Sequence, residues 1–292
     1  RYIYNPNDPN SIPHNSVKCM IESSEGDIWI GTDDGGVARL SPSEEVFVRY
    51  VHDSENTNSL KTSYLRSVYE DEEEALWLAT AQEGLHRYDP LTGQFSFYLT
   101  SSGSRRDKSR GSLWAISPDD DVLWLGSGIG LGKFNKATGK TTFYEPDDSN
   151  PTSISTNNIL SVHADGNGTV WAGTWNGGLN RLDVETGKFT HYRHDPSDPN
   201  SLASNTFTVI YQDRAGNLWV EANGSLHLFN EEEQNFTRFD LALNQLAEDE
   251  QGYLWIASDD GLIRFNVEEK VPQRISGNRD KVFDDSFFGV EV

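Results

Sequence analysis

Asp165-Gly166-Asn167-Gly168-Thr169-Val170-Trp171-Ala172-Gly173-Thr174-Trp175-Asn176-Gly177-Gly178-Leu179 sets a short apolar run between two glycine-containing turns. The run returns as Ile28-Trp29-Ile30-Gly31-Thr32, Leu76-Trp77-Leu78-Ala79-Thr80 and Leu123-Trp124-Leu125-Gly126-Ser127. It returns again as Leu218-Trp219-Val220-Glu221-Ala222 and Leu254-Trp255-Ile256-Ala257-Ser258. Successive tryptophans stand 48, 47, 47, 48 and 36 residues apart. A period in the forties with several short strands per unit marks propeller blades. A propeller is a scaffold, so function is sought in its loops rather than in the fold.

Outward from Trp171, the pattern predicts strands over 159–163, 169–174, 179–183 and 189–193. Turns at 165–168, 175–178 and 185–188 separate them, with glycine supplying the positive φ. The polar stretch Asp195-Pro196-Ser197-Asp198-Pro199-Asn200-Ser201-Leu202 then crosses to the next blade. Runs this short exclude a helical solenoid. An all-β fold follows, with six four-stranded antiparallel blades expected over 14–276. The tryptophan of each blade fills the wedge between neighbouring sheets, and the glycine after it lets backbones approach.

The ends extend the count. Residues 2–12 match 192–202 position for position, and Tyr50, Tyr98 and Tyr144 share the slot of Tyr2 and Tyr192. Phe287-Phe288-Gly289-Val290 resembles a degenerate tryptophan strand. The expectation is one propeller domain over 1–292, a fragment of a larger protein. It would have seven blades, the last shared between the termini and lacking its third strand.

Composition narrows function. A net charge of −22 argues against nucleic acid, whose phosphates need clustered Lys and Arg. Cys19 is the single cysteine, so the chain has no intrachain disulfide and no thiolate metal cluster. Its apolar strand reads as core. No long apolar run or signal peptide is present.

The order Asn-Ser-Leu, apolar strand, Asp-x-x-Gly-x-Leu-Trp-x-Gly-Thr-x-x-Gly-Gly-Leu resembles the two-component regulator propeller repeat. Residues 162–179 fit it closely, and 21–37 nearly as well. Glu221 departs from it by replacing the strand glycine, and 241–244 lack the Asp-Pro-Asn-Ser-Leu element. The resemblance implies the periplasmic sensor part of a bacterial membrane-bound histidine kinase of the hybrid kind. It further implies a second propeller, a β-sandwich, a membrane helix and kinase domains elsewhere in the same chain, and glycan fragments as the signal.

No catalytic constellation stands out. The glycine-rich 126–132 has the wrong spacing for a dinucleotide loop. His191 and His194 fall on opposite faces of a strand, against a shared metal. The 165–169 turn lacks the full acidic pattern of a calcium loop. Glu72-Glu73-Glu74 and Asp119-Asp120-Asp121 read as solvated turn tips. The expectation is no cofactor, no metal and no enzymatic activity. The alternatives are a propeller enzyme, lyase or glycoside hydrolase, whose carboxylate pair nothing singles out, and a pure interaction scaffold.

Structural slots repeat from blade to blade, whereas a ligand site breaks the repeat. Two residues before the apolar position of Val162, the copies read Lys18, Arg66, Trp114, Leu160, Thr208 and Asn244. After the last residue of the tryptophan phrase they read Asp33, Ala81, Gly128, Trp175, Asn223 and Asp259. Cations, aromatics and amides near one mouth suit an oligosaccharide, acidic or neutral. The ligand-binding set is therefore Lys18, Arg66, Trp114, Trp175, Asn223 and Asn244. Packing between blades is the competing reading for the first slot, and a subunit contact giving a homodimer competes for Trp175. Arg105, Arg106, Lys108 and Arg110 form a basic cluster, either an anion clamp or a solvated loop.

Overall fold

The structure is a computed structural model and describes residues 2–43, 46–99, 111–258 and 261–275. These residues hold twenty-four strands and no helix, so none long and apolar enough to cross a membrane. The strands form six four-stranded sheets, each pairing its strands antiparallel in chain order. This is a β-propeller fold of four-stranded blades. The chain divides into two compact units, Arg1–Tyr144 and Glu145–Val292. The first holds the blades over 17–50, 65–98 and 113–144, the second those over 159–192, 210–239 and 245–274.

The fourth blade follows the pattern to within a residue, with strands Ile159–Ala164, Thr169–Thr174, Leu179–Asp183 and Lys188–Tyr192. Trp124 and Trp219 are fully buried, Trp29, Trp77 and Trp171 nearly so, and Trp255 is half-buried. Three of the rings meet a phenylalanine of the next blade edge-on, and Trp29 meets Tyr88 at a tilt. Centroids lie 5.3 Å apart for Trp77 and Phe134, 4.9 Å for Trp171 and Phe229, and 5.7 Å for Trp219 and Phe265. That is the wedge the repeat requires.

The indole is also tied at its polar edge. Trp77 Nε1 donates to Asp71 Oδ2 at 2.7 Å, Trp124 to Asp119 at 3.0 Å, and Trp219 to Asp213 and Trp255 to Asp249 at 2.8 Å each. Asp71, Asp213 and Asp249 also accept backbone N–H groups of the tight turn, as Asp213 does from Asn217 at 2.8 Å. One carboxylate thus fixes both turn and ring. At Gly173 an added Cβ would run into Ser161 Oγ and come within 2.8 Å of the Phe207 Cβ, so the glycine admits the crossover to the next blade.

The crossovers plug the sheet ends with a buried apolar residue, Leu60, Ile154 or Leu202. A backbone N–H of the following blade's outer strand then ties them. Phe95 donates to Asn58 Oδ1 at 2.8 Å, and Phe236 to the Asn200 carbonyl at 2.9 Å. Residues 5–12 build the same loop: Ile12 is buried, and Phe47 donates to the Asn10 carbonyl at 3.2 Å.

The seven-blade expectation is corrected here, since the described residues form six blades. Residues 2–4 are not a strand. Among the described residues no neighbouring strand supplies their ladder hydrogen bonds. Tyr2 instead sits edge-on to Phe47 at 5.1 Å, and the Tyr4 N–H donates to Asn15 Oδ1 at 2.8 Å. Residues 287–290 lie outside the described residues.

One buried slot on the third strands carries polar groups. Asn180 and His227 are fully buried there and accept crossover N–H groups, from Ser155 at 2.9 Å and Ala203 at 3.2 Å. His86 occupies the same register position, equally buried, yet neither ring nitrogen has a hydrogen-bond partner.

Candidate functional site

Strand pairing explains why the first slot varies. Val17 pairs with Thr32 and Cys19 with Gly31, so Lys18 is an extra residue in the ladder. Arg66, Trp114 and Leu160 stand in the same way between Leu65 and Ser67, Leu113 and Ala115, and Ile159 and Ser161. Each is the odd residue of a β-bulge. A bulge releases its residue from two-residue alternation and re-aims the side chain. Packing therefore does not dictate the residue type there. In the last two blades the slot precedes the strand. Thr208 comes two residues before Ile210–Gln212, and Asn244 one residue before Gln245–Glu248, its N–H donating to the Ala257 carbonyl at 2.8 Å. None of the six slot residues is fully buried.

The structure brings Lys18 and Arg66 together on a residue of the second slot. Arg66 Nη1 lies 3.0 Å from Asp33 Oδ1, and Lys18 Nζ lies 3.4 Å from Asp33 Oδ2. All three side chains are about one-third exposed. Burial works to raise the Asp33 carboxyl. Attraction to Arg66 and Lys18, with a hydrogen bond from each, outweighs it and holds the carboxyl below its ordinary value. Two cations thus share one carboxylate, with Asp34 beside it acting on Tyr64. Asp33 was outside the expected binding set, although an acidic residue in the second slot beside cations in the first was a readable signal. Trp114 occupies the bulge of the third blade, whose inner strand, Leu113–Asp119, packs against Leu65–Glu70 of the second.

In the second unit the expected residues Trp175, Asn223 and Asn244 sit on separate blades. Trp175 is 61% exposed at the turn between the second and third strands of its blade. No side chain among the described residues pairs with its ring, so folding does not account for it. Asn223 has a local cause: with φ of +54° before Gly224 at +71°, it forms the two-residue hairpin turn that favours Asn-Gly. The adjoining departure, Glu221, is buried. Its carboxylate accepts from Thr208 Oγ1 at 2.8 Å and from the Gly224 N–H at 2.6 Å. Thr208 is thereby committed to holding its own blade.

Asp259 and the basic cluster Arg105, Arg106, Lys108 and Arg110 lie outside the described residues. Among the described residues no group of His, Cys, Asp and Glu has metal-binding geometry. His191 Nε2 meets the Ser153 carbonyl at 2.8 Å, and His194 Nδ1 the Leu202 carbonyl at 2.6 Å, so each serves a crossover.

Comparison with known proteins places this geometry in context. The family model described as "two component regulator propeller" matches residues 11–34, 153–176 and 201–220. The extracellular domain assigned to hybrid two component system BT3049 of B. thetaiotaomicron is similar with a TM-score of 0.78 and 22% identity, over 98% of this chain and 38% of that one. The extracellular domain assigned to one component system BT4673 of the same organism is similar with a TM-score of 0.73 and 20% identity, over 94% of this chain and 38% of that one. This chain thus spans well under half of either structure. At such identities the likeness concerns the fold. No curated protein sequence matches the chain.

Proposed function

We propose, for a chain built from two-component regulator propeller repeats, that it is a non-catalytic, extracytoplasmic ligand-sensing module of a signalling protein. Its ligand is a glycan fragment. In the first unit Lys18 and Arg66 orient an acidic or hydroxyl group and Trp114 offers a ring face to sugars. In the second unit Trp175 offers a ring face, and Asn223 and Asn244 offer amide groups. The observation that carries this reading is the bulge slot, where residue type varies between blades while the paired strand positions around it stay small or apolar. The similar extracellular domains support the placement outside the cytoplasm. A second propeller, a β-sandwich, a membrane helix and a kinase in the same chain, and a homodimer, are the proposed partners, and the propeller itself lies in the periplasm.

Calorimetric titration with neutral and acidic glycan fragments tests the reading. Arg66→Ala is expected to weaken an acidic fragment roughly 10- to 100-fold, the worth of a charge-assisted hydrogen bond. Asp33→Asn removes the competing carboxylate, so the same fragment is expected to bind more tightly and with a steeper salt dependence. Affinity that ignores Arg66→Ala and Trp175→Ala alike overturns the site. Shortened products after incubation overturn the non-catalytic reading instead.

A further inference from the structure

A second break in the repeat lies at the other end of the fourth blade, away from Trp175. The turn over 165–168 joins the first two strands of that blade and the Trp175 turn joins the next two, so they occupy opposite ends of one sheet.

At that end three blades, the second, third and sixth, carry one module. The indole donates to the turn aspartate, and a cation from the third strand covers the ring. In the sixth blade Trp255 donates to Asp249 at 2.8 Å, and Arg264 lies 5.7 Å from the ring centroid and 3.5 Å from the same Asp249. In the second, Trp77 donates to Asp71 at 2.7 Å, while Arg87 lies 5.8 Å from the ring and 2.9 Å from Glu73 of its own turn. In the third, Trp124 donates to Asp119 at 3.0 Å under Lys133 at 5.2 Å.

The fourth blade has every part and leaves the module open. Asp165 Oδ1 accepts from the N–H groups of Asn167 at 2.8 Å and Thr169 at 2.9 Å, so the turn is built as elsewhere. Arg181 lies 5.4 Å from the Trp171 ring. But no hydrogen bond joins Trp171 to Asp165, and Arg181 reaches the next blade instead, pairing with Glu231 at 3.0 Å. A cavity of ≈ 430 Å³ opens there, lined by Asp165, Trp171, Arg181, Gln212, Asn217 and Glu231 among others. That volume lies within the range of small-ligand sites.

We propose that this groove between the fourth and fifth blades binds a neutral sugar residue, which restores the missing link between Trp171 and Asp165. An indole N–H without an acceptor and a carboxylate oxygen without a donor together call for a group that accepts one hydrogen bond and gives another. A hydroxyl does both, and adjacent sugar hydroxyls span the two. Charge selects against an acid. Asp165, Glu231 and Glu232 outnumber Arg181 and Lys270 around the cavity, and Arg181 is already paired. The site is independent of the bulge-slot reading, because it shares none of those residues.

The test uses the indole ¹H–¹⁵N signals of the whole chain, with Trp171→Phe assigning the one of interest. Its N–H is expected to exchange with solvent faster than those of Trp77, Trp124, Trp219 and Trp255. On titration with sucrose, cellobiose and xylobiose, at least one is expected to move the Trp171 signal saturably. Asp165→Asn, which keeps the Oδ1 acceptor of the turn, is expected to weaken that binding roughly tenfold or more. Trp175→Ala is expected to leave it unchanged. Equal protection of all five indoles, the absence of a saturable shift from all three sugars, indifference to Asp165→Asn, or tighter binding of glucuronate each overturns the proposal.

Discussion

Trp219→Ala is expected to destabilise the protein by about 3–5 kcal/mol, the range for deleting a large buried aromatic. The ring is fully buried, packs edge-on against Phe265 and at 5.9 Å from Phe239, and holds the carboxylate of Asp213. Deletion opens a cavity at the blade wedge and leaves Asp213, itself buried, short of a donor. Trp219→Phe separates the two parts. It keeps a six-membered ring in the wedge but loses the N–H and the rest of the indole, for an expected cost of about 1–3 kcal/mol, smaller than that of Trp219→Ala. Denaturant titration of the three proteins reads both, and an unchanged midpoint for Trp219→Ala would remove the tryptophan from the core of the fold.

His86 is expected to make stability fall with acid. Burial pushes its imidazole down to about 4, and the nearby Glu83 carbonyl, outside hydrogen-bonding geometry, opposes this only weakly. The unfolded chain returns the ring to its ordinary value of 6.5, so between these values the unfolded state binds the extra proton. The contribution of neutral His86 is thus complete above pH 6.5 and declines as pH falls toward 4, by about 3 kcal/mol in all. His86→Asn places there the residue that Asn180 provides in the fourth blade. Its stability is expected to lose that part of the slope, while the part due to His227, also lowered by burial, remains. Parallel stability curves for wild type and variant would contradict the assignment.

The fold was legible because its determinants are local and repeated. Leu-Trp-x-Gly-Thr between glycine turns defines a strand and its two hairpins, and the strand bounds around Trp171 follow from the alternation alone. The site was legible only as variation. Lys18 and Arg66 stood out by type, but alternation does not reveal that they are bulge residues, because a bulge is an extra residue known only from its partner strand. Nor does spacing reveal that Asp33 gathers both cations, or that Glu221 engages Thr208, since these contacts depend on side-chain reach. The aspartate six residues before Trp77, Trp219 and Trp255 was visible in the pattern, while its bond to the indole was not. The seventh blade was inferred from matching stubs, and among the described residues 2–4 have no partner strand to complete a ladder.

The most direct measurement is a backbone amide shift map of the isotopically labelled chain, recorded with the glycan fragment that binds most tightly in calorimetry. The shifts are expected to concentrate at the crossover ends of the blades, at Lys18, Asp33 and Arg66 in the first unit and around Trp175 in the second, with the glycan intact afterwards. A bound glycan that leaves Asp33, Arg66 and Trp175 unmoved would contradict the assignment of these residues as the sensor site.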